Sequence, residues 1–182
     1  PKTLAYFFSY LFHPMMISFF TYLLLTYKYS DYNFPYIFFI CFLFSNLIPI
    51  ITVLILKKYN IISDLDASIK EQRILPLILG VLYSFIGFLF LYFLKANLII
   101  QGLMFCYMTN TIITIIITKY WKISIHSMGA SIPLTVLLVS NIYYPLFTII
   151  ILIIVGTSRV IIKAHTIRQV LAGMIMGFSL TY

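Results

Sequence analysis

Several residues that can bind or transfer a charged group lie close together near the C-terminal end of the sequence. Residues 157–177, TSRVIIKAHTIRQVLAGMIMG, place three basic side chains around one histidine, directly beside a long apolar run. Charged groups this close to hydrocarbon are costly and usually face a partner or a cavity. His165 and Gln169 are four residues apart, so on a helix they share one face and the amide can orient the imidazole. Cations around a histidine are typical of an anion site, with phosphate the first candidate. The three basic residues are Arg159, Lys163 and Arg168.

A second histidine, His126, and the remaining cations narrow the chemistry that this chain can perform. Catalytic zinc usually takes three His or carboxylate ligands, and here two histidines stand without an acid close to them in the sequence. A serine triad requires an acid behind its histidine and a strained nucleophile turn, and the sequence shows neither. Two histidines with an arginine cluster fit phosphoryl transfer through a phosphohistidine: one imidazole attacks phosphorus, the other protonates the leaving oxygen, and cations hold the phosphate.

The composition excludes an ordinary soluble domain. The chain of 182 residues is 63% hydrophobic and 9% charged, with a mean hydropathy of +1.08. Such a sequence is typical of an integral membrane protein whose solvent is the bilayer. The 12 basic and 4 acidic residues give a net charge of +8, which favours anionic lipid headgroups or an anionic substrate as partners. Nucleic acid is excluded as a partner, since no basic face is available away from the membrane edges.

The apolar runs predict an all-α integral membrane protein, a bundle of about six to seven transmembrane helices in a single domain over residues 1–182. A proline follows His13 inside the first run and predicts a kink, because proline removes a helical hydrogen bond. No motif surrounds His13, so its imidazole is predicted to bond between helices. The predicted spans are residues 4–27, 35–56, 75–94 and 98–118, hairpin arms at 131–140 and 143–155 that turn over 141–145, and a last span from 170 to 182.

Three polar islands interrupt these runs, at residues 57–76, 119–129 and 157–177. Within the first island, apolar residues recur at helical spacing over 61–69 and predict a short interfacial helix. The islands follow the second, fourth and sixth spans, so all three emerge on one side of the membrane. This topology predicts one site built from three loops on one membrane face. Its candidate residues are Lys70, Arg73, Lys122, Ser124, His126, Arg159, His165 and Gln169.

The third island resembles a motif of the type 2 phosphatidic acid phosphatases, a superfamily of integral membrane lipid phosphatases. That motif reads Ser-Arg, five residues, His, three residues, Asp. Here Ser158 and Arg159, five residues, His165, three residues and Gln169 match it everywhere except at the final acid. The glycine-containing run at 170–177 is also similar to the helix that continues the motif in the family.

The other two motifs of the family are matched less closely. Its second motif, Pro-Ser-Gly-His, is similar to the stretch that holds Ser124 and His126. Its first motif, Lys, six residues, Arg-Pro, is loosely present at Arg73, which proline follows only three positions later. An aspartate stands where the motif has lysine, and Lys70 is a substitute cation. The resemblance covers roughly residues 64–177.

The resemblance implies a role for each matched residue. His165 is the implied nucleophile, and His126 is the implied general acid. Gln169 takes the place of the family's histidine-orienting aspartate, and its carbonyl can accept the imidazole N–H without stabilising an imidazolium by charge. The family requires no metal and no organic cofactor. Phosphate is predicted to bind Arg159, Arg73, Ser124, Lys70 and, at a position on which the family pattern is silent, Lys122.

The implied substrate is a lipid that carries a phosphomonoester or a pyrophosphate, such as phosphatidic acid or a polyprenyl pyrophosphate. The alternative is a catalytically inactive relative that binds or translocates anionic phospholipids, which Gln169 and the excess of cations permit. The expected location is the bacterial inner membrane. An excess of basic residues on the side of the three islands favours the cytoplasmic face for the site.

Overall fold

The computed structural model describes residues 2–30, 33–142 and 145–182. Helices account for 80% of this part of the chain, which contains no strand. Among the described residues, four helical segments are long and apolar enough to cross a membrane, and three further apolar helices are shorter. The all-α prediction is therefore confirmed, and the four long helices are compatible with an integral membrane protein. A count of six or seven crossings stays a prediction, since about 20 residues are needed to span the hydrocarbon core.

The chain forms two compact units. The first unit comprises Pro1–Thr21 and Ile123–Tyr182, and the second comprises Tyr22–Lys122. The prediction of one domain over the whole chain stays a prediction. The α-helices of the described residues are α1 (Lys2–Leu11), α2 (Pro14–Tyr29), α3 (Phe34–Phe42), α4 (Ile48–Lys58), α5 (Ile74–Phe93), α6 (Leu98–Tyr120), α7 (Ile125–Val139), α8 (Pro145–Ile161) and α9 (Ile167–Ser179); a π-helical turn (Leu43–Leu47) joins α3 to α4, and a 3-10 turn (Glu71–Arg73) precedes α5.

Two prolines shape the first two apolar runs. The kink predicted in the first run lies where the helix is interrupted for two residues between α1 and α2, and the segment Lys2–Tyr29 as a whole remains long enough to cross a membrane. In the second run, Pro49 has no N–H to offer the carbonyl of Ser45, four residues earlier. The helix widens into a π turn just before this proline, as helices do where the regular hydrogen-bond ladder is interrupted.

The interfacial helix predicted over residues 61–69 is wrong, because this segment consists of bends and turns. The carboxylate of Asp64 accepts the backbone N–H of Asp66 at 3.0 Å and that of Ser68 at 3.2 Å. Ala67 has a φ of 43°, in the left-handed region that interrupts a right-handed helix. A short acidic side chain has thus captured the backbone donors that a helix would use, which is how aspartate competes with helix formation.

The pH dependence of this loop follows from Asp64. Partial burial raises the pKa of the Asp64 carboxyl, but hydrogen bonds from Ser68, Ser63 and the backbone of Asp66 lower it further, so the net pKa lies below its ordinary value. A folded pKa below the unfolded one gives stability that is complete above about pH 5 and is lost as pH falls through the folded value. We expect Asp64→Asn to lower the thermal midpoint slightly at pH 7 and by less at pH 3. An equal loss at both pH values, measured by thermal unfolding, would contradict this assignment.

In the second unit, α5 packs along α6, and a tight turn joins them as the sequence predicts. Gly87 allows the close approach of the π turn, because a β-carbon there would lie 2.9 Å from Cβ of Phe44. The hydroxyls of Thr52 on α4 and Tyr83 on α5 are 2.8 Å apart and form a hydrogen bond. The second unit is therefore a helical bundle that includes the apolar helices α3, α4, α5 and α6.

In the first unit, α7 is the central helix and is buried continuously from His126 to Leu137. It packs against α9 and α8, and α8 also packs against α1. The core joins Ile17 of α2, Ala130 and Leu134 of α7, and Ile151 and Val155 of α8. Because α7 is buried along this length, its packing fixes the positions of the residues in its first turn.

The boundaries of α7 and α8 differ from the predicted hairpin arms. α7 begins at Ile125, six residues before the predicted arm, and α8 continues through Arg159 to Ile161. The polar residues of these islands are therefore partly helical, because burial in a bundle supports helix beyond the purely apolar run. The predicted turn over 141–145 and the start of the second arm include Tyr143 and Tyr144, which lie outside the described residues.

Candidate active site

His165 is held by the side chain of Gln169. The Oε1 atom of Gln169 lies 3.1 Å from Nδ1 of His165 and accepts the backbone N–H of Thr166 at 3.1 Å. A backbone N–H can only donate, so the amide oxygen faces both partners. His165 must then donate from Nδ1, which leaves the lone pair of the neutral ring on Nε2. The structure thus selects the tautomer in which Nε2 is a nucleophile or a base.

The same glutamine begins α9. The hydroxyl of Thr166 accepts the backbone N–H of Gln169 at 3.4 Å, which completes a capping box together with the glutamine's own bond to Thr166. Such a box satisfies two backbone donors at the start of a helix. Gln169 therefore has two tasks, to cap α9 and to orient the buried imidazole of His165.

The loop from α8 to α9 places His165 next to Arg159. The carbonyl of Arg159 accepts the backbone N–H groups of Ala164, at 3.0 Å, and His165, at 3.2 Å. Lys163 has a φ of 60°, the left-handed conformation that often ends a helix in this way. The two residues are thus joined through the backbone, and no side-chain contact is needed to keep them close.

Arg159 is buried within the first unit, with 3% of its surface exposed. Its Nη1 donates to the hydroxyl of Ser9 on α1 at 3.0 Å. The hydroxyl of Ser158 bonds back to the carbonyl of Ile154 at 2.6 Å and so serves its own helix. By sequence the first unit has four basic residues and no acidic residue, a formal charge of +4 (4 − 0). The basic residues are Lys2, Arg159, Lys163 and Arg168.

Ser124 ties the start of α7 to the start of α9. Its backbone N–H donates to the carbonyl of Gln169 at 3.2 Å, and its hydroxyl lies 2.9 Å from the hydroxyl of Ser127. Ser124 is also the N-cap of α7, since its side chain accepts the backbone N–H of Ser127. Both polar groups of this fully buried serine are engaged within the protein. Its phosphate-binding role stays a prediction, and its observed role is to align two helix N-termini.

The glycines of α9 make this alignment possible. A β-carbon at Gly173 would lie 2.5 Å from the carbonyl oxygen of Ser124, and one at Gly177 would lie 2.8 Å from that of Met128. The hydroxyl of Ser131 on α7 donates to the carbonyl of Met174 on α9 at 2.9 Å. Small residues four apart allow two backbones to approach closely, as is common in membrane helix pairs.

His126 occupies the first turn of α7 and is buried, with 9% of its surface exposed. Its ring meets the ring of His13 edge to face, with centroids 4.8 Å apart and planes at 87°. The sequence predicted that His13 bonds between helices, and the structure places its ring against a candidate catalytic histidine on α7, a partner that the sequence did not identify. The hydrogen bond from Arg159 to Ser9 on α1 was likewise not predicted from the sequence. Nothing in the sequence signals these contacts, because each joins residues that are far apart in the chain.

Three predicted phosphate ligands belong to the second unit. Arg73 is buried, and its Nε donates to the carbonyl of Ala67 at 2.7 Å. Lys70 donates to the carbonyl of Lys119 at 3.2 Å and lies 3.8 Å from the carboxylate of Glu71, a surface pair of little energetic weight. Lys122 is half-buried at the end of this unit. Their convergence on His165 stays a prediction.

The first unit thus contains two helix N-termini that are joined by a hydrogen bond, an oriented imidazole, a second buried imidazole and a buried guanidinium. The aligned N–H groups and dipoles at the starts of α7 and α9 favour negative charge there. An arginine offers planar donors that match the oxygens of a phosphate. Groups of this kind suit anion binding, with a neutral imidazole as nucleophile or base and an imidazolium as acid.

The fold defines an all-helical protein whose four long apolar helices are compatible with a place in a membrane. Comparisons of the chain with protein-family models, with curated proteins and with solved structures found no match.

Proposed function

We propose that this protein is a membrane lipid phosphatase that hydrolyses a phosphomonoester or pyrophosphate through a phosphohistidine. The observation that carries the proposal is the Gln169 oxygen, 3.1 Å from Nδ1 of His165, which fixes the imidazole with its lone pair on Nε2. A resemblance to the type 2 phosphatidic acid phosphatases supports it through the spacing of Ser158, Arg159 and His165. The buried Arg159 and His126 of the same unit supply the other chemical groups that the reaction needs.

In the proposed reaction, Nε2 of His165 attacks phosphorus as the bond to the lipid oxygen breaks. His126 gives its proton to that oxygen, so the lipid leaves as an alcohol, or as a monophosphate when the substrate is a pyrophosphate. Arg159 holds the non-bridging oxygens while charge is redistributed among them. Water then attacks the phosphohistidine, His126 takes a proton from that water, and inorganic phosphate leaves with His165 restored. These steps use no metal ion and no organic cofactor.

The proposal also has a wider geometry. Lys70, Arg73 and Lys122 add cations to the phosphate site from the other two polar islands. That arrangement requires three loops on one face of a bundle with six to seven membrane crossings. The proposed location is a bacterial inner membrane, where the lipid chain of the substrate stays in the bilayer and the headgroup reaches the site.

A phosphoenzyme trap tests the proposal directly. The purified full chain in mixed micelles is incubated with phosphatidic acid or polyprenyl pyrophosphate that carries a radioactive phosphate, with and without a chelator, and then denatured. We expect label on the protein that survives alkali and is released by acid, as a phosphoramidate behaves, and equal labelling with the chelator. Labelling that survives acid, or that requires a divalent cation, would contradict the histidine mechanism.

The second candidate function is that of a catalytically inactive relative that binds or translocates anionic phospholipids. The capping box favours it, because Gln169 serves α9 structurally whether or not His165 reacts. A glutamine also gives a developing imidazolium no charge partner. A protein that binds these lipids in vesicles, with an affinity that Arg159→Gln reduces, and that never releases phosphate would be this binding protein.

The variant Gln169→Glu separates the two functions. Glutamate has the length of glutamine and is the usual partner in a capping box, so both contacts of the side-chain oxygen are preserved. Its charge stabilises the imidazolium, and a hydrogen bond to a charged group exceeds a neutral one by about 1 kcal/mol, or roughly 5-fold in rate. We expect faster phosphate release by Gln169→Glu and slower release by Gln169→Leu. Two variants with unchanged release rates would show that Gln169 serves only α9.

A further inference from the structure

His13 lies at the junction of α1 and α2 and makes two different contacts, one through a ring nitrogen and one through its ring against another ring. Its Nδ1 accepts the backbone N–H of Met15 at 3.3 Å, and its carbonyl accepts the N–H groups of Met16 and Ile17. The imidazole thus caps the start of α2 in the way that an asparagine side chain caps other helices. The flat ring meanwhile packs against His126.

The cap fixes the chemical form of His13. An Nδ1 that accepts a backbone N–H carries no proton, so the ring is neutral with its proton on Nε2. The start of α2 also disfavours a cation through the helix dipole. Of the two imidazoles in edge-to-face contact, His126 is therefore the one to which the proposed reaction assigns the proton transfer, while the ring of His13 stays neutral.

The same junction is pressed against the first turns of α7. A β-carbon at Gly129 would lie 2.9 Å from Cβ of Pro14, so the glycine allows the start of α2 to approach α7 closely. The two rings are held at 4.8 Å and 87°, the edge-to-face geometry that aromatic pairs prefer. The His126 ring is thus buried and in contact with a ring whose position is set by the junction of α1 and α2.

From these contacts we propose that His13 is a positioning residue for His126. Its neutral ring holds the His126 imidazole in the orientation in which it protonates the leaving oxygen. The proposal rests on the proposed phosphatase function for its kinetic consequence. The structural part of the proposal, that residue 13 sets the orientation of the His126 ring, does not depend on that function.

Two variants separate the two contacts of His13. His13→Asn keeps the cap, because the asparagine Oδ1 stands where Nδ1 stood, and it loses the ring. His13→Phe keeps the ring against His126 and loses the cap. If His13 has only a structural role, the variant that loses the cap should be the one that is impaired. If His13 positions His126, kcat should fall in the variant that loses the ring.

For His13→Asn we expect a kcat about 10- to 100-fold below wild type, with KM unchanged and a thermal midpoint near that of wild type. For His13→Phe we expect a kcat close to wild type and a midpoint lower by about 2–4 °C. A wild-type kcat in His13→Asn, or an equal loss of kcat in both variants, would overturn the proposal.

A readout that needs no turnover keeps this inference separate from the proposed function. The chain has three histidines, so imidazole resonances in a histidine-labelled sample can be assigned with His126→Asn. The His126 ring signals should shift in His13→Asn and stay near their wild-type positions in His13→Phe, since the neighbouring ring current is lost only in the first. If wild type releases no phosphate, the proposed function fails while this shift still supports the contact. Unmoved His126 signals in His13→Asn would overturn the positioning role whatever the activity.

Discussion

Replacement of His165 by asparagine should abolish phosphate release from a lipid phosphate, with a loss on the order of 10⁴-fold or more. The nucleophile of the proposed reaction is Nε2. This atom carries the lone pair that would attack phosphorus, because Gln169 holds the proton on Nδ1. Asparagine retains polarity at this position and cannot form the phosphoramidate. The same variant should therefore show no acid-labile label in the phosphoenzyme trap. Release and labelling that persist together in His165→Asn would sink the mechanism.

Two controls give this experiment its resolution. Arg168→Gln removes an exposed charge from the first turn of α9, close to His165 in the chain, and should leave the release rate near that of wild type. His126→Asn should lower release by about 10²–10⁴-fold for an ordinary lipid alcohol, because that oxygen must be protonated as it leaves. With an activated aryl phosphate, whose leaving group needs no proton, His126→Asn should release the first leaving group at close to the wild-type rate, and the remaining loss should lie in hydrolysis of the phosphohistidine. The loss in His165→Asn should persist with both substrates.

The second large effect is expected at Gly173, where alanine should destabilise the first unit by about 1–3 kcal/mol. The new β-carbon would lie 2.5 Å from the carbonyl oxygen of Ser124 and 3.2 Å from the backbone nitrogen of Met128. Both are backbone atoms of a buried helix, so the clash can be relieved only by a shift of α7 or α9. That shift separates the two helix N-termini that Ser124 and Gln169 join. Phosphate release should fall together with the thermal midpoint.

The matched control is Gly102→Ala on α6. No atom outside its own helix neighbourhood lies within 4 Å of a β-carbon at this position. Alanine is favoured over glycine in a helix by roughly 1 kcal/mol, so this variant should be as stable as wild type or more stable. A thermal midpoint for Gly173→Ala at or above that of Gly102→Ala would contradict the close packing of α7 on α9.

The sequence predicted most of the helices correctly because their cause is local. Apolar runs longer than the hydrocarbon thickness have few alternatives to helix, and prolines interrupt such runs wherever they occur. The breaks at Pro14 and before Pro49 follow from chemistry within one turn. The pairing of His165 with Gln169 is equally local, although its cause differs from the predicted helical face: His165 precedes the N-cap Thr166, and Gln169 reaches back to it as part of the capping box of α9.

The predictions that were wrong or incomplete concern competition between neighbours and contacts across the chain. Apolar spacing at 61–69 favoured helix, but Asp64 took the backbone donors for itself. The periodicity of a sequence does not record which hydrogen bond wins when a side chain and a helix compete for one N–H. The polar start of α7 was likewise assigned to a loop, and burial within the bundle made it helical.

The sequence by itself determined a helical, strongly apolar chain and the spacing of Arg159, His165 and Gln169, because these depend on composition and on residues close together in the chain. The tertiary structure decided that Ser124 would bond to Gln169 and that His13 would meet His126. Such contacts join residues that no local periodicity relates. They form only when whole helices pack, and the packing is set by where a glycine lets two backbones approach. The residue types and spacings behind the candidate chemistry can be read from the sequence. The geometry of the candidate site exists only once the helices of the first unit have packed.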